Sequence, residues 1–213
     1  MEINRTRPIE ENSFRTPSKR PLIGVMGGTE VDDPALPAQV GRMLASLGTD
    51  LLTGAGSGTM EIVSRAFYEA PGRRGLVIGV VPGIQIMDDD DFAYRTRTAA
   101  YPNDYVEVAI FTHLPTLEDL EGPTSRNHVN VLSSDAIIVL PGNDGTYAEL
   151  KLAAFYCKPV CVWMGSSGHI LGQGLETLQQ EFPDHVVFAE TLADVEAFCR
   201  ETLNKLGYVP SLS

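Results

Sequence analysis

Five consecutive apolar residues, Ala136-Ile-Ile-Val-Leu140, run straight into Pro141-Gly-Asn-Asp-Gly-Thr-Tyr-Ala-Glu149. A run this short and this rich in β-branched side chains reads as a strand buried on both faces. The glycine turn behind it opens a helix predicted over Gly145 to Tyr156. A strand buried on both faces needs helices above and below it, so the chain is constrained to a layered α/β architecture.

The rest of the sequence repeats that rhythm. Pro21-Leu-Ile-Gly-Val-Met26 is a first buried strand, closed by Gly27-Gly28. Pro34 to Leu47 carries apolar residues at helical spacing (Leu36, Val40, Met43, Leu44, Leu47), and Gly48 ends it. Leu51-Leu52 is a second strand, Met60 to Ala70 a helix stopped by Pro71-Gly72, and Leu76-Val-Ile-Gly-Val-Val81 a third strand. Further strands are predicted at Tyr105 to Phe111, Pro159 to Trp163 and Val186-Val187, and further helices at Leu120 to Ser133 and Leu192 to Leu206. Residues 83 to 103 break the rhythm. Their run Asp88-Asp-Asp-Asp91 reads as a solvated loop, because four adjacent carboxylates cannot all turn to one ion. The expectation is one Rossmann-like domain over residues 21–213, a parallel sheet with helices on both faces, behind a flexible polar tail over residues 1–20.

Charge narrows the function. The formal net charge is −12, which argues against a nucleic-acid polymer as partner. A local nest of backbone N–H groups can still hold one phosphate on an acidic protein. The polar tail lacks the apolar stretch of a secretory signal, and no run reaches the length of a membrane span. Three cysteines, Cys157, Cys161 and Cys199, are read as buried structural thiols of a reducing, cytoplasmic compartment. No metal site is expected.

Two glycine-rich loops each follow a strand and open a helix. The first is Thr53-Gly-Ala-Gly-Ser-Gly-Thr-Met-Glu61, the second Pro141 to Glu149. Ligands of open α/β sheets bind beyond the carboxyl ends of the strands, where free N–H groups at helix starts attract phosphate. The candidate ligand-binding residues are Gly54, Gly56, Ser57, Gly58, Thr59 and Met60 in the first loop. In the second they are Pro141, Gly142, Asn143, Asp144, Gly145 and Thr146. Met60 also reads as core, as does Trp163. Neither loop is a Walker A motif, since no lysine follows the glycines. The first lacks the third glycine of a dinucleotide dehydrogenase fingerprint.

The segment Ser134 to Glu149 resembles the PGGxGTxxE signature of the "Lonely Guy" (LOG) phosphoribohydrolases, proteins once described as lysine decarboxylases. Their upstream arginine has a match in Arg126, twenty-three residues before Glu149. Thr53 to Glu61 and Arg126-Asn-His-Val-Asn-Val131 look more like a neighbouring branch, which holds the molybdenum-cofactor carrier proteins. The resemblance spans roughly Pro21 to Gly165. Two positions depart from the LOG pattern. Asn127 stands in place of a lysine, and Asn143 in place of a glycine, where asparagine's tolerance of positive φ would let the turn survive.

The LOG resemblance implies hydrolysis of the base–ribose bond of a nucleoside 5′-monophosphate, with no cofactor required. Glu149 would be catalytic, stabilising the cationic sugar or activating water, and Arg126 would steady the phosphate or the glutamate. Gly145 and Thr146 would hold the phosphate. The carrier resemblance implies instead a non-catalytic binder or nucleotide sensor, with molybdenum cofactor as cargo. Both branches keep the arginine and the glutamate. The Leu140-Pro-Gly142 stretch leans toward LOG, while Asn127 and the first loop lean toward the carriers. A decarboxylase is the weakest reading, because nothing resembles a lysine presented for a pyridoxal Schiff base. A homodimer or larger homo-oligomer is implied by resemblance alone. His128 reads as a packed or solvated histidine, and Asp135 as a cap or brace for the loop.

Overall fold

The computed structural model describes residues 20–88, 91–95, 101–115, 122–165 and 175–208. The predicted tail, 1–20, therefore lies outside them except for Arg20. The elements in chain order begin with β1 (Leu22–Met26), α1 (Ala35–Leu47), β2 (Asp50–Thr53), α2 (Thr59–Tyr68) and β3 (Val77–Val81). Then come β4 (Ile84–Asp88), β5 (Asp91–Arg95), β6 (Val108–Phe111), α3 (Asn127–Ser133), β7 (Ala136–Val139) and α4 (Asp144–Phe155). The chain closes with β8 (Val160–Trp163), α5 (Leu175–Glu181), β9 (Val186–Ala189) and α6 (Leu192–Lys205).

Seven strands form one sheet in the order β6-β3-β2-β1-β7-β8-β9. All its pairings are parallel. From β1 the chain steps outward through β2, β3 and β6. It then returns to lay β7 against the other side of β1, with Gly24 opposite Ile137 and Met26 opposite Val139. The strand order thus reverses between β1 and β7, so the helices leaving these two strands go to opposite faces. That divergence opens a crevice at their carboxyl ends.

The core has two layers because successive strand residues point to opposite faces. Ile23, Val25, Ile138, Leu140, Cys161 and Trp163 face one layer, with residues of α1, α2 and α6. Met26, Ile137, Val139, Val160 and Val162 face the other, with residues of α3, α4 and α5. This is the expected Rossmann-like sheet covered on both sides.

Several boundaries differ from those predicted. Of the helix predicted over Leu120 to Ser133, Leu120 and Glu121 lie outside the described residues, and from Gly122 onward helix starts at Asn127, with Arg126 at its N-cap. Pro123 disfavours helix before it, and Ser125 N–H and Oγ form turn bonds with Gly122 O and Asn127 N–H instead. The strand over Tyr105 to Phe111 shortens to β6, because the Asn103 side chain and carbonyl accept from Tyr105 and Val106 in a local turn. β6 is an edge strand and leaves Val108, Ile110 and Phe111 exposed, so its coverage is less complete than expected. The acidic run is not simply a loop: β4 and β5 form an antiparallel hairpin in which Asp88 pairs with Asp91. The alternation in Ile84-Gln-Ile-Met87 is a strand pattern that the acidic run obscured. Asp89 and Asp90 lie outside the described residues.

Cys161 and Cys199 are buried as expected, but Cys157 is exposed just beyond the end of α4, with φ +52°. It sits in the turn between α4 and β8. Burial pushes the Cys161 thiol up to about 12 and raises that of Cys199 as well. Asp135 braces the opposite end of the sheet from the loop: its Oδ2 accepts from Leu22 N at 2.9 Å, at the start of β1. Among the described residues no helix is long and apolar enough to cross a membrane, and no cluster of metal-ligating side chains is found.

Candidate functional site

Three loops meet at the carboxyl ends of β1, β2 and β7. Gly28 N donates to Pro141 O at 3.0 Å, and Thr59 N donates to Gly28 O at 3.0 Å. The first strand's turn is therefore stitched to both glycine loops. Gly142 permits this approach, since a Cβ there would meet Gly28 N at 2.7 Å and collide with Thr146 Oγ1.

A cavity of about 520 Å³ opens beside this junction. It brings together Gly54 and Met60 from the first loop, Arg126, and Asn143, Asp144, Gly145, Thr146 and Glu149 from the second. Its size lies in the range of small-molecule sites. Thr59, Pro141 and Gly142 line a neighbouring cavity of about 410 Å³ instead, and Asn143 touches both. Gly56, Ser57 and Gly58 line neither. Gly58, at φ +69°, serves the turn into α2. Met60 combines the two roles foreseen for it, being 9% exposed and part of the cavity wall.

Arg126 is buried, and its Nη1 donates to Gly54 O at 2.7 Å and Val80 O at 2.8 Å. These carbonyls lie where β2 and β3 run out, so the guanidinium ties two strand ends together. Gly54 must lack a side chain for this: a Cβ there would stand 2.5 Å from Arg126 Nη1. The Nε of Arg126 is buried with no hydrogen-bond partner among the described residues. Burial lowers the arginine's pKa, with Glu149 and Tyr101 opposing that shift.

Glu149 sits in the second turn of α4, 8% exposed. Its Oε1 accepts from Asn130 Nδ2 at 2.7 Å. Desolvation pushes its carboxyl above the ordinary carboxylate range, and Arg126 and Asn130 offset part of that rise. No direct ion pair joins Arg126 to Glu149 among the described salt bridges. The two act on each other across the cavity.

Asn143 does not use positive φ. Its backbone is extended, φ −106° and ψ −165°, and it caps α4 by accepting from Gly145 N at 3.2 Å. The side chain that replaces a glycine thus occupies one of the N–H groups expected to hold phosphate. Asp144, in the first turn, adds negative charge at the same helix end.

Sequence reasoning passed over several cavity residues. Gly27 and Thr29 lie in the β1 turn, signalled only by the Gly27-Gly28 pair. Asn127, buried at 2%, lines the cavity where the LOG pattern has a lysine. Tyr101 comes from the stretch that broke the strand–helix rhythm, and no local pattern announces it. His128 is no part of the cavity lining. Its Nε2 donates to Gly122 O at 2.9 Å, and its Nδ1 lies 2.8 Å from the Tyr156 hydroxyl, a packed histidine.

Sheet order and crevice together define an α/β protein of the Rossmann type with a small-molecule-sized site at its topological switch point. More narrowly, residues 20–194 match the SLOG cluster4 family, and the chain belongs to that family. Among solved structures it is similar to the molybdenum cofactor carrier protein of Chlamydomonas reinhardtii. That match has TM-score 0.65 and 26% identity over 87% of this chain and 99% of that one. The molybdenum cofactor binding protein of Rippkaea orientalis has TM-score 0.64 and 29% identity over 89% and 98%. An uncharacterised protein of Archaeoglobus fulgidus is 29% identical over 133 residues, 62% of this chain and 72% of its own length.

Proposed function

We propose that this chain is a binding protein for a phosphorylated pterin or nucleotide, held in the crevice between β1 and β7, with molybdenum cofactor the first ligand to test. The observation that carries this reading is the state of Glu149. It is buried and hydrogen-bonded by Asn130, and desolvation holds its carboxyl above the ordinary carboxylate range. Desolvation raises the cost of ionising this carboxyl, which weakens it as the counter-charge for a cationic sugar. The helix end is also less free for phosphate than a bare glycine loop, because Asn143 caps it. Similarity to two proteins named for binding molybdenum cofactor supports the same reading.

A phosphoribohydrolase is the second reading. The Arg126–Glu149 pair lining one cavity favours it, since Arg126 and Asn130 both favour the ionised carboxylate. Two assays separate the readings. One titrates the protein with molybdenum cofactor and follows pterin fluorescence. The other incubates it with a panel of nucleoside 5′-monophosphates and looks for free base. Tight pterin or nucleotide binding without base release is the expected result. Base release by wild type but not by Glu149→Ala would transfer the assignment to the hydrolase. Neither binding nor release would sink both. In either case Thr146→Val should weaken ligand affinity, and unchanged affinity would remove the loop from the phosphate site.

A further inference from the structure

The second cavity, of about 410 Å³, adjoins the first along the seam formed by Thr29 and Asn143, which line both. Its floor is apolar, with the buried side chains Leu36 and Pro37 and the end of β7 at Leu140. Its rim is acidic: Glu30 and Asp32 are exposed there, and Asp33 is half-buried with Oδ1 accepting from Ala35 N at 2.9 Å. Among the described residues no basic side chain lines it. Arg126 is the basic residue of the first cavity. The two halves therefore differ in charge while sharing a wall.

We infer that the ligand has two heads, a dinucleotide-like molecule whose linking phosphates cross the Thr29–Asn143 seam. Its second heterocycle, one with N–H donors on its edge such as guanine or a pterin, lies in the acidic cavity. This rests on the proposed binding function and adds the class of ligand. A carboxylate only accepts hydrogen bonds, so Glu30 and Asp32 select a head whose edge donates. The apolar floor suits the flat face of a ring. By volume each cavity suits one head, and Gly28 and Gly142 pack closely together in the wall of the second cavity, where a Cβ on Gly28 would lie 3.0 Å from Gly142 Cα.

The experiment compares guanosine 5′-monophosphate with di(guanosine-5′) diphosphate by isothermal titration calorimetry on the full chain. Linking two heads should make the dinucleotide bind about tenfold tighter or more. Val31→Trp, which fills the second cavity from a half-buried loop position, should remove that advantage and leave the mononucleotide affinity in place. A Glu30→Gln, Asp32→Asn double variant, altering two exposed side chains, should reduce the advantage without touching the core. The adenine dinucleotide, whose ring nitrogen accepts where guanine's donates, should gain less. Equal affinities for the two guanine probes, or an advantage that both variants keep, overturns the inference. Absence of binding by either probe also overturns it, and the pterin titration then shows separately whether the underlying binding function stands.

Discussion

Asn130 Nδ2 donates to Glu149 Oε1 at 2.7 Å, and both side chains are buried. The amide holds the carboxyl at the cavity wall, while the Oδ1 of Asn130 has no partner among the described residues. That oxygen is an unsatisfied buried acceptor beside the carboxyl. A protonated Glu149 could donate to that oxygen after an amide flip, whereas an ionised one needs the N–H.

Glu149 should make stability depend on pH. Its folded-state pKa is raised, so the native state holds a proton that the unfolded chain releases earlier. Stability from this group is fully present below the unfolded value of about 4.3 and is lost as pH rises through the folded value. Glu149→Gln keeps the hydrogen-bonding shape without the titration. The difference in Tm between wild type and Glu149→Gln should therefore move in favour of the variant as pH rises from about 4 to 8. A difference that stays flat over this range would show that Glu149 titrates as an ordinary carboxyl.

Arg126 should matter for folding as well as binding. Arg126→Met strands the carbonyls of Gly54 and Val80 and leaves Glu149 without its facing charge. The expected cost is about 1–3 kcal/mol for the unsatisfied buried groups, read by urea denaturation. Gly54→Ala should reproduce part of this loss, because the added Cβ displaces the guanidinium. Stability unchanged in both variants would mean that the strand ends do not depend on the arginine.

Asn143 should trade stability against phosphate affinity. Asn143→Ala removes the α4 cap at a cost of about 1 kcal/mol. The same change releases Gly145 N–H toward the cavity, so affinity for a phosphorylated ligand should rise several-fold even as Tm falls. If calorimetry shows affinity falling together with Tm, the side chain contacts the ligand rather than competing with it.

The thiols should react unequally. Cys157 is exposed, whereas Cys161 and Cys199 are buried with raised pKa values. Ellman's reagent should titrate one thiol per native chain and three after denaturation. Fast reaction of a second thiol in the native protein would contradict the packing of β8 against α6.

The strands at β1, β7 and β8 were legible in sequence because a centre strand of a covered sheet is apolar at nearly every position. The Arg126–Glu149 pair was legible through its spacing and resemblance. The hairpin was missed because an acidic run masked its alternation. The β1 turn was underread because Gly27-Gly28 looked like a strand end and nothing more.

Local pattern thus sufficed for a parallel α/β sheet, its two glycine loops and a crevice where they meet. Periodicity and turn chemistry are properties of neighbouring residues, and a linear reading sees them. Tertiary structure alone decided what the site residues touch. Arg126 reaches carbonyls 72 and 46 residues away in the chain, contacts that exist only once β2 and β3 lie side by side. The same holds for Tyr101 in the cavity wall and for the second cavity behind the Thr29–Asn143 seam. Even Asn143, read from sequence as a residue suited to positive φ, became a helix cap. Its backbone angles were settled by the α4 start it had to close and by the packing of the β1 turn against Pro141.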